Sequence, residues 1–317
     1  MTNKIQQFTS TGSKLLFHPD FIDNVRQTNL LLPISIQLAP TSICNLSCSF
    51  CSNRNRQTNE SLLFDAVKFV LGTYNDLGAK TVEITGGGEP TLYHAINETI
   101  TYANAKGYQV GLITNGTGFG RLSKETIQML KWVRISMNVL DYRDGIDIPK
   151  LPKALTLGFS YVMNADTRMD EIKITLDRYI KEHKPAYVRI VSDCRTDWKT
   201  QQKNNQIFGA LIKEWGSPYF YQPKEFHKPN ECWWRYVKPF ILHDSFVYPC
   251  SSIVLNSGSE ERFHEKFRWM KIDDIPMAYS GMKQAPFNSR NCDHCVFSAQ
   301  NALVGSLMHP NGMEMFV

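Results

Sequence analysis

Short β-type runs that alternate with amphipathic helical stretches are the strongest constraint on the fold of this chain. Between the runs, apolar residues recur at three- and four-residue spacing, for example in 61–77, which Gly78 follows as a stop signal. Strands that are joined through helices form parallel sheets with right-handed crossovers. A closed eight-stranded barrel needs two more units than this chain offers, so the sequence predicts an α/β fold with a partial (β/α)6 barrel. The predicted strands are 34–38, 81–85, 109–114, 133–139, 159–164 and 187–191.

The pattern changes after Gly216, where prolines and aromatic residues become frequent. We therefore expect an N-terminal extension over 1–33, a core barrel over 34–216 and a second, smaller domain over 217–317. A chain of 317 residues is long enough for a core domain with such an appendage.

Composition and charge indicate a globular protein of the cytoplasm. Hydrophobic residues make up 42% of the chain, charged residues 21%, and the net charge is +5 without a long Lys/Arg run. No apolar run approaches the ~18–20 residues that cross a bilayer, and the polar start lacks the apolar stretch of a signal peptide. Because cytoplasmic thiols stay reduced, the eight cysteines favour metal binding over disulfides.

Three of these cysteines follow the first predicted strand directly. Cys44, Cys48 and Cys51 have the spacing CxxxCxxC, which lets one loop surround a single cluster. Four-iron clusters usually take four cysteines, so three leave one iron open to chelate a small molecule. A zinc site is the alternative, although zinc sites normally use paired CxxC units with a fourth ligand nearby.

This spacing, with Phe50 before the last cysteine, resembles the signature of the radical S-adenosylmethionine (SAM) superfamily. The resemblance implies a TIM-like partial barrel and a [4Fe–4S] cluster on Cys44, Cys48 and Cys51, whose open iron binds the amino and carboxylate groups of SAM. It also implies that SAM is cleaved to methionine and a 5′-deoxyadenosyl radical, which abstracts a hydrogen atom from a substrate.

A glycine-rich element at the end of the second predicted strand supports the resemblance. It reads Gly86, Gly87, Gly88 and Glu89, followed by a proline, and is similar to the GGxEP element of the family. Glycines allow a backbone to approach a ligand closely. In the family this backbone holds the amine of SAM; the alternative is an ordinary glycine-rich turn.

Polar residues on three later strands are further candidates for SAM contacts. Strand alternation places Ser136 and Asn138 on one face, and family members with this pattern bind the SAM ribose there. Two polar residues satisfied inside the barrel are the alternative. Asn164 and Arg189, on the fifth and sixth strands, are candidates for the SAM carboxylate or for the substrate.

A second set of cysteines lies near the C-terminus: Cys232, Cys250, Cys292 and Cys295. The set resembles the Twitch form of SPASM domains, in which four cysteines hold one auxiliary [4Fe–4S] cluster. A structural zinc ion on four cysteines is the alternative. SPASM domains with two clusters use more cysteines than this chain contains.

The eighth cysteine, Cys194, follows the sixth predicted strand, where the reaction mouth of a barrel opens. A thiol there can return a hydrogen atom to a substrate radical, as in radical SAM epimerases, but a free cysteine is also a common buried residue. We therefore expect an oxidation or an epimerisation or rearrangement, of oxidoreductase or isomerase type.

The substrate and partners stay open at this point. The resemblance implies a reducing partner such as flavodoxin or ferredoxin, and a small-molecule, peptide or nucleoside substrate, with no membrane partner. Alternative functions are modification of nucleosides or nucleic acids and peptide maturation, although 33 residues before the first strand are few for a leader-binding domain. A non-catalytic iron–sulfur or zinc protein is the alternative from another class.

Overall fold

The structure is a computed structural model that describes residues 4–54, 59–164, 167–223, 230–255, 263–280, 283–292, 295–310 and 312–313. Seven parallel strands dominate it and follow one another in chain order. They are β1 (Ser35–Leu38), β2 (Thr81–Ile84), β3 (Gln109–Thr114), β4 (Leu130–Ser136), β5 (Thr156–Met163), β6 (Tyr187–Ser192) and β7 (Tyr219–Tyr221).

The later part of the chain forms a separate two-stranded sheet and also adds three strands to the main sheet, on the other side of β1. β8 (Glu231–Cys232) pairs with β12 (Phe287–Asn288) in a separate two-stranded sheet. β9 (Phe240–Ile241) pairs in parallel with β1, and β10 (Phe246–Tyr248) and β11 (Met270–Lys271) follow antiparallel. The described strands of the main sheet have the order β11-β10-β9-β1-β2-β3-β4-β5-β6-β7, so β11 and β7 form its edges.

Helices connect the strands and cover the outer face of the sheet. The helices are α1 (Lys4–Phe8), α2 (Pro19–Thr28), α3 (Phe64–Asp76), α4 (Ile96–Ala105), α5 (Lys124–Met129), α6 (Met169–His183), α7 (Trp198–Trp215), α8 (Trp234–Val237), α9 (Ile275–Tyr279) and α10 (Ser298–Met308). Local chemistry fixes several ends: the Asp197 carboxylate caps α7 by accepting from Thr200 N at 3.0 Å. Gly78 and Gly107 follow α3 and α4 with φ of 96° and 86°, which glycine adopts without strain.

The α/β fold class with a partial barrel is confirmed, and the strand count is larger than expected. β7 extends the parallel sheet past residue 217, and β9 adds a parallel strand beside β1. Both strands have only two or three residues and no period-2 pattern long enough to predict them. The connection from β4 to β5, residues 137–155, contains a short 3-10 helix and no α-helix.

The fourth strand begins and ends three residues earlier than expected. β4 starts at Leu130 directly after α5 and stops at Ser136, and a 3-10 helix over Met137–Asp141 follows. The alternation therefore ends at Ser136. Along β4, Val133 and Ile135 are buried, whereas Trp132, Arg134 and Ser136 are half-buried and share the other face.

The N-terminal segment packs against the ends of the strands where they begin. The ring of Phe8 stacks on Tyr187 at the start of β6, with centroids 4.3 Å apart. Ser10 links this segment to the later part of the chain, because its hydroxyl accepts from Lys238 Nζ at 3.0 Å and its carbonyl from Gln300 Nε2 at 2.8 Å. The segment therefore closes one end of the barrel interior.

Candidate active site

The first cysteine loop leaves the C-terminal end of β1 and returns to it. Ser42 N donates to Glu60 O at 2.9 Å, and Leu62 N donates to Pro40 O at 2.9 Å. The hydroxyls of Thr41 and Ser61 lie 2.7 Å apart. These bonds join the two ends of the loop, so its described residues, 43–54 and 59, leave and return at the carboxyl end of β1.

The three cysteines of this loop are half-buried and interact with one another. Burial, and then the neighbouring thiols of Cys51 and Cys44, raise the pKa of Cys48 to about 11. The thiols of Cys51 and Cys44 are therefore near enough to that of Cys48 to affect its pKa. Tyr142, which follows β4, is hydrogen-bonded to the Cys48 side chain, and its hydroxyl accepts from Ser49 N at 3.1 Å.

Residues that follow two further strands, β3 and β6, also hold the cysteine loop, and sequence reasoning missed these contacts. Asn115 Nδ2, after β3, donates to Asn45 Oδ1 at 2.9 Å, and Asn45 Nδ2 donates to Thr117 Oγ1 at 2.8 Å. Arg195, after β6, donates to Ser49 O at 2.8 Å. Asn45 lies inside the CxxxCxxC spacing, so its position was visible in the sequence but its partners were not.

The glycine element after β2 packs directly against the cysteine loop. Gly88 N donates to Thr41 O at 2.8 Å, and Glu89 N donates to Ile43 O at 2.7 Å. A Cβ at Gly88 would overlap the Ile43 carbonyl, and a Cβ at Gly87 would lie 3.2 Å from Thr41 O. Two adjacent glycines are therefore required for the close approach of these two backbones.

The side chain of Glu89 is 2% exposed and accepts four hydrogen bonds from the protein. Oε1 accepts from Thr91 N at 3.0 Å, Thr91 Oγ1 at 2.7 Å and Thr114 Oγ1 at 2.5 Å, and Oε2 accepts from Asn115 N at 2.7 Å. Burial raises the pKa of this carboxyl, against the opposing effect of these hydrogen bonds. Glu89 therefore joins the end of β2 to the end of β3.

The structure separates the two residues that alternation was expected to place on one face. Ser136 ends β4 on the half-buried face, whereas Asn138 is 1% exposed within the 3-10 helix that follows. The Asn138 amide makes two hydrogen bonds to the backbone of β5: Oδ1 accepts from Val162 N at 2.7 Å, and Nδ2 donates to Val162 O at 3.0 Å. Nδ2 also donates to Asp141 Oδ2 at 2.8 Å. The same-face argument does not hold for Asn138, because the strand ends two residues before it.

The other predicted cofactor contacts lie in different places. Phe50 is half-buried in the cysteine loop. Asn164 follows β5, and its N–H donates to Thr167 Oγ1 at 3.0 Å. Arg189 faces the interior of the barrel, where its Nε donates to Gln222 Oε1 at 2.5 Å, and Cys194 lines the same space.

A cavity of about 740 Å3 fills the interior of the barrel. Glu83, Arg134 and Arg189 line it from β2, β4 and β6, and Gly86 and Cys194 reach it from the carboxyl ends of β2 and β6. Residues of the N-terminal segment line its opposite end: Ile5, Gln7, Phe8, Thr9, Ser10, Thr11 and Lys14. The cavity thus extends from the cysteine-loop end of the sheet to the N-terminal segment.

The second cysteine set also converges in space. Cys232 lies on β8, and Cys250 follows β10. Burial, and then Cys295 and Cys292, raise the pKa of Cys232 to about 12. Burial also raises the pKa of Cys250 well above its ordinary value, with further contributions from Cys232 and Cys295. Four thiols from three separate segments therefore interact in one buried region.

Trp234 and Phe297 stack beside this region with ring centroids 5.8 Å apart, and Trp233 N donates to Asn301 Oδ1 at 2.7 Å. Within the described part of the chain, no group of three or more His, Cys, Asp or Glu side chains is arranged to hold one metal ion.

Comparison with known families identifies the domain. Residues 38–152 match the family model described as the radical SAM superfamily. This chain contains a radical SAM domain. The family uses SAM and a four-iron cluster, and the matched segment includes the cysteine loop, the glycine element and β4. The radical SAM match ends before Asn164, Arg189, Cys194 and the second cysteine set.

Curated relatives match over the same domain. A probable GTP 3′,8-cyclase of Sulfolobus acidocaldarius is 33% identical over 113 residues, which are 33% of this chain and 34% of that protein. The sporulation killing factor maturation protein SkfB of Bacillus subtilis is 28% identical over 145 residues, which are 45% of this chain and 34% of that protein. The matches thus span about a third of the length of these relatives.

Solved structures share the fold of the radical SAM domain and the segment after it. Streptococcus suis SuiB bound to S-adenosylmethionine superposes with a TM-score of 0.53 and 15% identity, over 86% of this chain and 74% of SuiB. Native anSMEcpe with bound AdoMet and a Kp18Cys peptide gives a TM-score of 0.52 and 16% identity, over 82% of each chain. At these identities the likeness establishes the fold alone.

No helix in the described residues is both long enough and apolar enough to span a membrane.

Proposed function

We propose that this protein is a radical SAM enzyme, which cleaves SAM reductively and abstracts a hydrogen atom from a substrate. The observation that carries the proposal is the cysteine loop at the carboxyl end of the sheet, which residues after β2, β3, β4 and β6 hold beside the barrel cavity. A passive electron carrier has no use for a cavity of about 740 Å3 beside its cluster. A barrel that shields a radical from water requires one.

In this proposal Cys44, Cys48 and Cys51 hold the cluster that binds SAM. When bound, the cluster and SAM supply an electron and a 5′-deoxyadenosyl radical. The donor chemistry fits, because the three thiols are close together on one loop and thiolates are the usual ligands of iron–sulfur clusters. Asn115 and Tyr142 hold the loop from neighbouring strand ends, through Asn45 and Ser49, so they are positioning residues.

Polar groups near the same strand ends are the proposed SAM contacts. The backbone of Gly86 and the hydroxyl of Ser136 are the best supported, since Gly86 lines the cavity and Ser136 shares the inward face of Arg134. Phe50 and Asn164 stay candidates at the rim. Hydrogen bonds within the protein occupy the side chains of Glu89 and Asn138, so we assign both side chains positioning roles.

We propose that Cys232, Cys250, Cys292 and Cys295 bind an auxiliary [4Fe–4S] cluster in a Twitch-like region over 217–317. Four thiols from three segments influence one another, and four cysteines are the usual ligand set of such a cluster. A zinc ion on the four cysteines is the alternative. Anaerobically reconstituted protein should then contain about eight irons per chain, and about four irons with one zinc would refute the auxiliary cluster.

The region over 217–317 shares the main sheet with the core barrel over 34–216. β7 pairs with β6, and β9 pairs with β1. The extension over 1–33 contacts both parts: Phe8 stacks on Tyr187 of the core barrel, and Ser10 bonds to Lys238 and Gln300 of the later region. The three parts therefore act as one catalytic body in this proposal.

The reaction outcome is an oxidation, or an epimerisation in which Cys194 returns a hydrogen atom. Cys194 lines the cavity, which supports a role near the substrate. A flavodoxin or ferredoxin is the proposed reductant. The relatives named for GTP cyclisation, and the SuiB structure with a precursor peptide, make nucleotides and peptides the substrate classes to test first.

Anaerobic incubation of the reconstituted protein with SAM and dithionite tests the proposal. We expect release of 5′-deoxyadenosine and methionine, measured by mass spectrometry, and loss of both in Cys48→Ala. Cys194→Ala is the matched control, because it removes a thiol from the same cavity but leaves the cysteine loop intact. No 5′-deoxyadenosine from wild-type protein that holds its irons would refute the proposed function.

A further inference from the structure

Two arginines share the interior of the barrel. Arg134 lies on β4 and Arg189 on β6, and only β5 separates their strands. The β5 residues beside them are small, since Arg134 pairs with Gly158 and Arg189 pairs with Ser160. The guanidinium of Arg134 lies 5.6 Å from the Trp132 ring, which holds it on the inward face. Both side chains line the cavity.

The charge inside the cavity is unbalanced. Among the described lining residues, Glu83 is the sole acid, whereas Lys14, Lys131, Arg134 and Arg189 are cationic. Glu83 is already paired, because Lys238 Nζ lies 2.6 Å from Oε1 and Gln37 Nε2 donates to Oε2 at 2.8 Å. The carboxylate of Glu83 therefore does not neutralise both arginines.

The arginine pair also has a hydrogen-bond donor that no described group of the protein uses. The buried Nε of Arg134 has no hydrogen-bond partner. Arg189 uses its Nε on Gln222. Burial, and then the charge of Arg134, lower the pKa of Arg189 to about 9, which shows how strongly this interior disfavours two uncompensated cations. A guanidinium pair with an unpartnered planar donor on Arg134 suits the recognition of an anion.

The pair lies deeper than the cysteine loop. Arg134 is two residues before Ser136, where β4 ends, and Arg189 is three residues before Ser192, where β6 ends. At about 3.3 Å per residue, their Cα atoms lie roughly 7–10 Å below the strand ends that carry the loop. A ligand on the arginines therefore occupies the cavity beneath a ligand on the loop.

We infer that Arg134 and Arg189 bind an anionic group of the substrate, a carboxylate or a phosphate, inside the barrel. This inference rests on the proposed function, since it assigns the cavity to the substrate of that reaction. Binding the anion supplies the missing negative charge and holds the remainder of the substrate between the arginines and the cysteine loop.

Calorimetric titration of the anaerobically reconstituted protein with inorganic phosphate and with acetate, at low ionic strength, tests the inference. We expect one of these anions to bind once per chain, and Arg134→Gln and Arg189→Gln each to weaken it at least tenfold. The anion that binds with the higher affinity identifies the substrate group as a phosphate or a carboxylate. Arg134→Lys should retain part of the affinity, and it replaces Arg134→Gln if that variant does not fold. Arg121→Gln, which removes an exposed arginine, should bind like wild type.

SAM binding and cleavage separate this inference from its alternatives. Arg134→Gln should bind SAM within twofold of wild type and still release 5′-deoxyadenosine. Loss of SAM affinity in that variant, or displacement of the bound anion by SAM, would assign the arginines to the SAM carboxylate and overturn the inference. Absence of anion binding, or equal binding by all variants, would overturn it too. Absence of 5′-deoxyadenosine from wild type, with anion binding intact, would instead refute the proposed function.

Discussion

Replacement of Glu89 separates a structural role from direct SAM binding. Its carboxylate accepts hydrogen bonds from two buried backbone N–H groups, those of Thr91 and Asn115, and from the hydroxyls of Thr91 and Thr114. Because Asn115 in turn holds Asn45, Glu89 supports the cysteine loop through one intermediate residue. We expect substitution to destabilise the fold before it affects SAM contacts.

The hydrogen bonds set the expected magnitude. Glu89→Ala leaves two buried N–H groups without an acceptor at about 1–3 kcal/mol each, so the free energy of unfolding should fall by roughly 2–6 kcal/mol. Glu89→Gln keeps an oxygen that accepts from the three donors on Oε1, but it loses the bond from Asn115 N. This loss should lower the free energy of unfolding by about 1–3 kcal/mol. Since burial raises the pKa of Glu89, removing its charge offsets part of that loss.

Anaerobic urea denaturation, followed by circular dichroism, measures these differences, and calorimetry on the folded variants measures SAM affinity. Amide exchange at Asn115 reports the lost bond directly. We expect Glu89→Gln to lose stability and Asn115 protection while it binds SAM within a few-fold of wild type. Unchanged stability together with a loss of SAM binding above tenfold would show that the carboxylate contacts SAM and that the structural reasoning is wrong.

Three further substitutions distinguish the roles of individual residues. Ser136→Ala should weaken SAM binding roughly 2- to 13-fold by calorimetry, because one hydrogen bond of about 0.5–1.5 kcal/mol is lost. Asn138→Ala should instead lower the free energy of unfolding by about 1–3 kcal/mol, because its amide bonds to β5 are lost. Burial alone would raise the pKa of Glu83, but the charge and hydrogen bond of Lys238 lower it. This pair therefore stabilises the fold fully above the ordinary glutamate pKa, and its contribution to stability is lost as the pH falls through the lowered pKa. Lys238→Met should therefore lower the free energy of unfolding by about 3–5 kcal/mol at pH 7. The variant should also lose less stability than wild type as the pH falls, measured by denaturation at several pH values; equal stability of both proteins would contradict this. If Cys194 donates hydrogen, Cys194→Ala should consume SAM without normal product, and wild type in deuterated water should place one deuteron on the product; normal product from the variant would exclude that role.

The sequence predicted the parts of the site that depend on local spacing. The cysteine loop, the glycine element and most strands have short-range patterns, and the fold confirms an α/β partial barrel with a parallel sheet. Alternation located the inward face of β4 but failed at Asn138, because the position at which the strand ends depends on contacts with β5. Glu89 shows the same limit, since the groups that donate to its carboxylate come from the residues after β2 and from the end of β3.

Long-range pairing explains what the sequence did not reveal. Arg134 and Arg189 are 55 positions apart in the chain, and only the register of β4, β5 and β6 brings them into one cavity. The N-terminal segment has no motif, yet Phe8 and Ser10 close the barrel through contacts with Tyr187 and the later part of the chain. Such contacts depend on tertiary packing, which periodicity does not report.

Electron paramagnetic resonance of the reduced protein, with and without SAM, tests the central claim most directly: that the loop of Cys44, Cys48 and Cys51 holds a cluster with an open iron. We expect SAM to change the cluster spectrum in wild type and in Cys250→Ala, because the second cysteine set does not bind SAM. In Cys48→Ala we expect the SAM-dependent change to disappear. A wild-type spectrum that SAM leaves unchanged, or a change that persists in Cys48→Ala, would contradict the assignment of this loop.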